Sequence, residues 1–287
     1  MRSNTDWIGI FTFGLGLTAL LIALSQGPEW GWMSPKVFGL FAATLLLWIA
    51  FVITETKVQD PLFNLTLFSH GHYTLGLGIT LCYCIGYFSI TTLLAFYLQG
   101  AQHLSPLESG LLLIPLSAPQ LVMGPFGGKL ADRVGPVRLI LVGMFVIAFA
   151  LFMLGNLGEK LSISAVIIPL FLISVANGLA WPSLAKTVLS TASGEQAGSA
   201  SGMFYTVYNI GRAVSQTLSL TIIEMSVPSS VASQMFLGIE MENKAAKSAL
   251  VDLTDLGFQV YAVFFVIALL LGLFLSQQQK LLRSQKG

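Results

Sequence analysis

Eight apolar runs, each close to the length that crosses a bilayer as a helix, dominate this chain. They cover residues 7–25, 37–53, 73–98, 109–128, 139–157, 161–185, 198–223 and 256–279. A hydrocarbon core about 30 Å thick takes roughly 20 residues of helix. Seven of the runs hold no charged residue, and the run at 198–223 holds one, Arg212. In lipid the backbone must satisfy its own hydrogen bonds, so such runs read as helices. The expected fold is an all-α polytopic membrane protein of about eight transmembrane helices, with membrane lipid as its surroundings. Only 9% of the 287 residues are charged, against roughly 25% in soluble domains, which is too few to clothe a soluble surface. A net charge of +1 supplies no basic field for nucleic acid. Cys82 and Cys84 lie two apart in one run, so their thiols point apart on a helix and suggest neither a disulfide nor a metal site. His70, His72 and His103 show no metal-ligand spacing. No phosphate loop, nucleophile elbow or cofactor fingerprint is present, so the chain reads as a non-enzyme without a cofactor.

Lysine and arginine set the expected sidedness. With the N-terminus inside, the inner segments hold Arg2, Lys57, Lys129, Arg133, Arg138, Lys186, Lys280, Arg283 and Lys286. The outer segments hold Lys36, Lys160, Lys244 and Lys247. This bias predicts a multi-pass protein of the bacterial inner membrane with both termini in the cytoplasm. Two connections are long. Residues 54–72 carry a turn signal at Asp60-Pro61 and an amphipathic stretch from Leu62 to Phe68, the pattern of a linker lying on the inner membrane surface. The sequon at Asn64 falls on that inner side and is taken as chance. The linker divides a two-helix pair (1–53) from a six-helix part (73–287). The outer segment 224–255 is mixed in charge and predicts a short surface helix near residues 243–250.

Three features carry candidate chemistry. The first is the run from Gly124 to Arg138, Gly-Pro-Phe-Gly-Gly-Lys-Leu-Ala-Asp-Arg-Val-Gly-Pro-Val-Arg. Its glycines suit close helix approach and a tight turn. Asp132 is expected just before the next helix, as a cap on free N–H groups, paired with Arg133 or Arg138. An ordinary positive-inside hairpin is the plainer alternative. The second is the run at 198–223, where Tyr205, Tyr208, Asn209, Arg212, Gln216 and Ser219 recur at helical spacing and share a polar face. That face either lines a cavity or serves helix–helix hydrogen bonding, with Arg212 snorkelling inward. The third is Glu224 at the outer end of the same run, either a carboxylate for a cationic ligand or a proton, or a solvated interfacial acid. Pro115, Pro119, Pro125, Pro169 and Pro182 break or kink their runs. Tyr83, Tyr87, Phe88 and Tyr97 offer an aromatic wall, a pattern more often made by packing.

The stretch Gly128-Lys129-Leu130-Ala131-Asp132-Arg133-Val134-Gly135 resembles the cytoplasmic loop signature of the major facilitator superfamily. The resemblance implies that Gly128, Asp132, Arg133, Gly135 and Arg138 form a conformational latch between helix pairs. Pro136 and Val137 stand where the superfamily often has two basic residues. Two helices, a linker with Asp-Pro and Leu-Phe, and six further helices look like the fourteen-helix drug:proton antiporters of the EmrB/QacA type. The run from Gly194 to Gly202 is similar to the segment before their penultimate helix. This resemblance implies a C-terminal portion of a secondary transporter that exports amphipathic small molecules against proton entry. Its partner would be a six-helix N-terminal half not in this chain. A non-transporting membrane subunit of a split transporter is the alternative.

Overall fold

The computed structural model describes residues 6–58, 65–192, 194–224 and 244–284. Among these residues there is helix and no strand. In chain order the helices are α1 (Trp7–Trp30), α2 (Pro35–Glu55), α3 (Gly71–Ala95), α4 (Pro106–Leu112), α5 (Ile114–Val134), α6 (Pro136–Leu154), α7 (Ile163–Leu189), α8 (Ala197–Glu224) and α9 (Lys244–Ser284). A 3-10 turn at Leu65–Ser69 leads into α3, which ends in a π turn at Phe96–Ala101. Seven segments are long and apolar enough to cross a membrane: Trp7–Trp30, Pro35–Glu55, Gly71–Ala101, Pro106–Val134, Pro136–Leu154, Ile163–Leu189 and Lys247–Gln278. The eighth expected span, α8, has the length at 28 residues. Its polar face lowers its hydropathy, so it is not among the segments apolar enough to cross a membrane.

Local signals set the helix ends. Ser34 caps α2 through the Val37 N–H, with Pro35 in the first turn, where its missing N–H costs nothing. Ser105 and Glu108 form a reciprocal capping box at the start of α4. The run at 109–128 divides at Leu113, two residues before Pro115, into α4 and α5.

Two expectations change here. The chain does not loop after Gly128: α5 runs on to Val134, and the turn is made by Gly135, at φ 92°, with Pro136 opening α6. Ala131 to Val134 contain no breaker, so the helix stops where a left-handed residue and a proline meet. The short surface helix near 243–250 is not separate. The described part of that segment, from Lys244, is the first part of α9, a continuous helix of 41 residues, about 60 Å long. No proline interrupts it, and Leu250, Val251 and Thr254 are already buried against the bundle. The Asp60-Pro61 turn and Asn64 lie outside the described residues.

Helix α3 packs against α8 and α9, α9 against α6, α6 against α7, and α7 against α5. The pair α1–α2 meets this bundle through α8, where the Thr217 hydroxyl donates to the Leu24 carbonyl at 2.7 Å. Helices α5 and α7 approach each other closely at glycines. A Cβ on Gly127 would collide with the backbone carbonyl of Gly178, whereas a Cβ on Gly128 would meet open space. Gly127→Ala is therefore expected to destabilise the bundle by about 1–3 kcal/mol and Gly128→Ala to be near neutral, as read from thermal unfolding in detergent.

Candidate functional site

The centres of four helices converge on one polar and aromatic cluster. Tyr83, Tyr87 and Phe88 come from the middle of α3, Gln120 from the middle of the span Pro106–Val134, Asn177 and Trp181 from α7, and Tyr208 and Arg212 from α8. Asn177 is the hub. Its Oδ1 accepts from the Tyr83 hydroxyl, and its Nδ2 donates to the Tyr87 hydroxyl at 3.0 Å and to Gln120 Oε1. The Tyr87 hydroxyl also donates to Gln120 Oε1 at 3.4 Å. One residue after Pro119, the Gln120 N–H is bound by Ser174 Oγ at 3.0 Å, so α7 satisfies the backbone near the proline.

Aromatic rings continue the cluster towards α8. Tyr83 and Tyr87 stack at 5.4 Å, and Trp181 lies 5.3 Å from Tyr83 and 5.6 Å from both Phe204 and Tyr208. Phe88 meets Tyr208 edge-on at 5.3 Å. The Arg212 guanidinium carbon stands 5.3 Å from the centre of the Phe88 ring, a cation–π distance. Tyr83 is buried, while Tyr87, Phe88, Trp181 and Tyr208 are partly exposed, so the cluster opens to one side.

The predicted polar face of α8 divides. Tyr205, Asn209, Arg212 and Gln216 are exposed, and Tyr208 is half-buried beside them. Asn209 donates back to the Tyr205 carbonyl at 2.8 Å. Ser219 does not join them. It is buried and 2.8 Å from the Tyr261 hydroxyl of α9, which also donates to the Ser215 carbonyl. An arginine at the centre of a spanning helix costs roughly 2.5–3.5 kcal/mol on insertion scales. Among the described residues Arg212 has no carboxylate partner. Glu224 is the last residue of α8 and partly exposed, about three turns from Arg212.

The run around Asp132 is arranged differently from its sequence reading. Asp132 sits in the last turn of α5, not ahead of α6, and α6 has no side-chain cap. Its partner is Lys186, from the last turn of α7, rather than Arg133 or Arg138, which are exposed. A carboxylate at a helix C-terminus opposes the dipole, so a cation from the parallel neighbour offsets it. Both side chains of the pair are about half exposed. Gly128 is partly exposed, and Gly127 makes the close contact with α7.

Sequence reasoning passed over Asn177, Gln120 and Trp181. The signal was available: an amide at the centre of an apolar run is costly unless it finds a partner. Of the four candidate wall aromatics, Tyr83, Tyr87 and Phe88 join the cluster. Tyr97 lies elsewhere, its hydroxyl donating to the Gly158 carbonyl at 3.0 Å.

The family model of the Major Facilitator Superfamily matches residues 5–216, from α1 into the second half of α8. The chain belongs to the major facilitator superfamily. It is 30% identical over 223 residues to the multidrug transporter protein MdtP of Bacillus subtilis, covering 77% of this chain and 40% of that protein. It is 28% identical over 208 residues to the tetracenomycin C resistance and export protein of Streptomyces glaucescens, covering 72% of this chain and 38% of the relative. A multidrug resistance protein B homolog of Mycobacterium tuberculosis is 25% identical over 287 residues, covering 92% and 53%. The matches thus span from 38% to 53% of these relatives' lengths.

In this superfamily member the Asn177 network has a direct stability consequence. Asn177→Leu leaves the buried Tyr83 hydroxyl without its acceptor and should cost about 1–3 kcal/mol. Adding Tyr83→Phe should cost less than the sum of the two single changes. Thermal unfolding of the four proteins in detergent checks this coupling.

Proposed function

We propose that this chain is the C-terminal portion of a fourteen-helix, proton-coupled exporter of amphipathic small molecules, of the EmrB/QacA type. The observation that carries the reading is the mid-membrane cluster of Tyr83, Tyr87, Gln120, Asn177, Trp181 and Tyr208 on the open side of α3, α5, α7 and α8, continued by the exposed face of α8. Polar groups on a spanning helix belong against protein or a water-filled path, not lipid. Secondary transporters bind substrate near the bilayer midplane between two bundles. In this reading a second six-helix bundle faces the cluster and closes the path. Tyr205, Tyr208, Asn209, Arg212 and Gln216 line it, and Glu224 is a carboxylate for substrate or proton at its outer end. The names of the multidrug and tetracenomycin C relatives support export as the direction.

The Asp132–Lys186 pair, with Gly128, Arg133, Gly135 and Arg138 around the α5–α6 turn, acts as the latch. It ties the cytoplasmic ends of α5 and α7 in one state of the cycle. A pair this exposed contributes about 0–1 kcal/mol. About 1 kcal/mol shifts a balanced two-state equilibrium roughly five-fold.

Two measurements test the reading. Reporter fusions at Gly287 and next to Asn243 should lie on opposite sides, with Gly287 cytoplasmic; the same side for both would end this topology. In everted vesicles holding the chain together with a matching N-terminal half, proton-driven dye flux is expected. Asp132→Lys should lower that flux several-fold at equal protein, and adding Lys186→Asp should restore most of it. Failure of the reversed pair to recover flux would remove the latch role, and absence of flux in the unaltered pair would remove the exporter reading.

A further inference from the structure

We propose that the cluster selects planar aromatic anions, with the ring held against Tyr87, Tyr205 and Tyr208 and the carboxylate or sulfonate held by Arg212. The inference rests on the reading of this face as a substrate path and adds the class of substrate to it.

Charge placement is the first argument. Among the described residues, Asp6, Glu29, Glu55, Glu108, Asp132, Glu159 and Glu224 lie near the ends of their helices or in the connections. Asp252 and Asp255 lie two to three turns inside α9, level with the α6–α7 connection, whose Leu157 N–H donates to Asp255. Arg212 alone among the described charged residues sits at the centre of a spanning helix. It is exposed towards the open side, and a ring, that of Phe88, is the group that meets it. A cation–π contact holds a guanidinium while leaving its N–H edge free to donate. A guanidinium in a site of low dielectric favours an anion strongly and repels a cation by the same field. Its planar fork matches a carboxylate or sulfonate with two parallel hydrogen bonds.

Ring chemistry is the second argument. Tyr208 is half-buried and held edge-on by Phe88, while Tyr205, 6.4 Å from it, is more than half exposed. Along α8, Tyr208 stands about one helical turn from Arg212 and Tyr205 about two, and Tyr87 flanks Phe88 at 5.8 Å. The wall therefore presents aromatic faces beside one fixed positive charge. The Tyr83 and Tyr87 hydroxyls and the Asn177 amide are committed to one another and to Gln120 Oε1. Beside the Arg212 charge, the wall therefore offers a ligand mainly aromatic surface.

The test uses the full chain with its matching N-terminal half, extracted with native lipid, and three probes of one shape. These are naphthalene-2-sulfonate, naphthalene-2-methylammonium and 2-methylnaphthalene, with binding of the labelled sulfonate and its competition by the others as readout. The sulfonate should bind at least ten-fold more tightly than the ammonium, a comparison that needs no variant. Arg212→Gln should weaken the sulfonate at least ten-fold and leave the neutral ring within about two-fold, and Arg212→Lys should retain part of the preference. Tyr208→Ala should weaken all three. Equal affinity for sulfonate and ammonium, or an Arg212→Gln variant that keeps the sulfonate within two-fold, would overturn the charge preference. In that case Arg212 serves as the partner of a carboxylate on the facing half. Binding of none of the probes, or indifference of all three to Tyr208→Ala, would overturn the substrate-path reading itself along with the preference.

Discussion

A side-chain amide at the centre of a membrane-spanning helix has to find a partner within the protein, and the packing of this bundle follows from that requirement at Asn177. Lipid offers no hydrogen bond, so Asn177 must turn towards other helices. Once it does, the whole face of α7 is set. Ser174, one turn before it, meets the Gln120 N–H near Pro119. Trp181, one turn after it, enters the rings of α3 and α8. Gly178, beside it, admits the backbone of α5. One residue thus fixes the rotation of α7 and with it the side on which the cluster opens.

Much of this was legible in the sequence. Eight runs became eight long helices, seven of them in segments long and apolar enough to cross a membrane, and the polar spacing on α8 placed Tyr205, Asn209, Arg212 and Gln216 on one exposed face. Ser219 was misplaced because, although it shares the direction of Arg212, it lies about two turns further along α8, where Tyr261 of α9 covers that face. Helical periodicity gives a direction round the axis but not which neighbour covers it at each height. The partner of Asp132 was not legible, because its nearest cations in sequence are Arg133 and Arg138, whereas its nearest cation in space, Lys186, is set by the α5–α7 crossing. The same holds for Asn177 and Gln120, which are 57 residues apart and meet through that crossing. A turn was expected after Gly128 because glycines suit a tight turn at the end of a span. The neighbours on α7 override that tendency by packing on Gly127.

The two ends of the α5–α7 interface use different chemistry. At the membrane centre the contact is made by buried amides and hydroxyls, whose desolvation makes them stringent about geometry. At the end next to Gly135 it is one ion pair about half exposed to water, individually weak and tolerant of distance. The α5–α7 interface is therefore stringent at mid-membrane and adjustable where the chain turns at Gly135.

The same crossing has a mechanical consequence. Gln120 meets Ser174 and Asp132 meets Lys186 with an identical offset of 54 residues, and the glycine contact lies between them. Two parallel helices bonded and closely packed in this way at mid-membrane resist sliding there, while the exposed ion pair adds only about 0–1 kcal/mol at the far end. Helix α8 touches α7 through Trp181 against Phe204 and Tyr208. Ring edges shear past one another far more readily than backbones part. Relative motion of α7 and α8 therefore falls on this aromatic seam, while α8 stays seated on α3 through the close approach at Gly211.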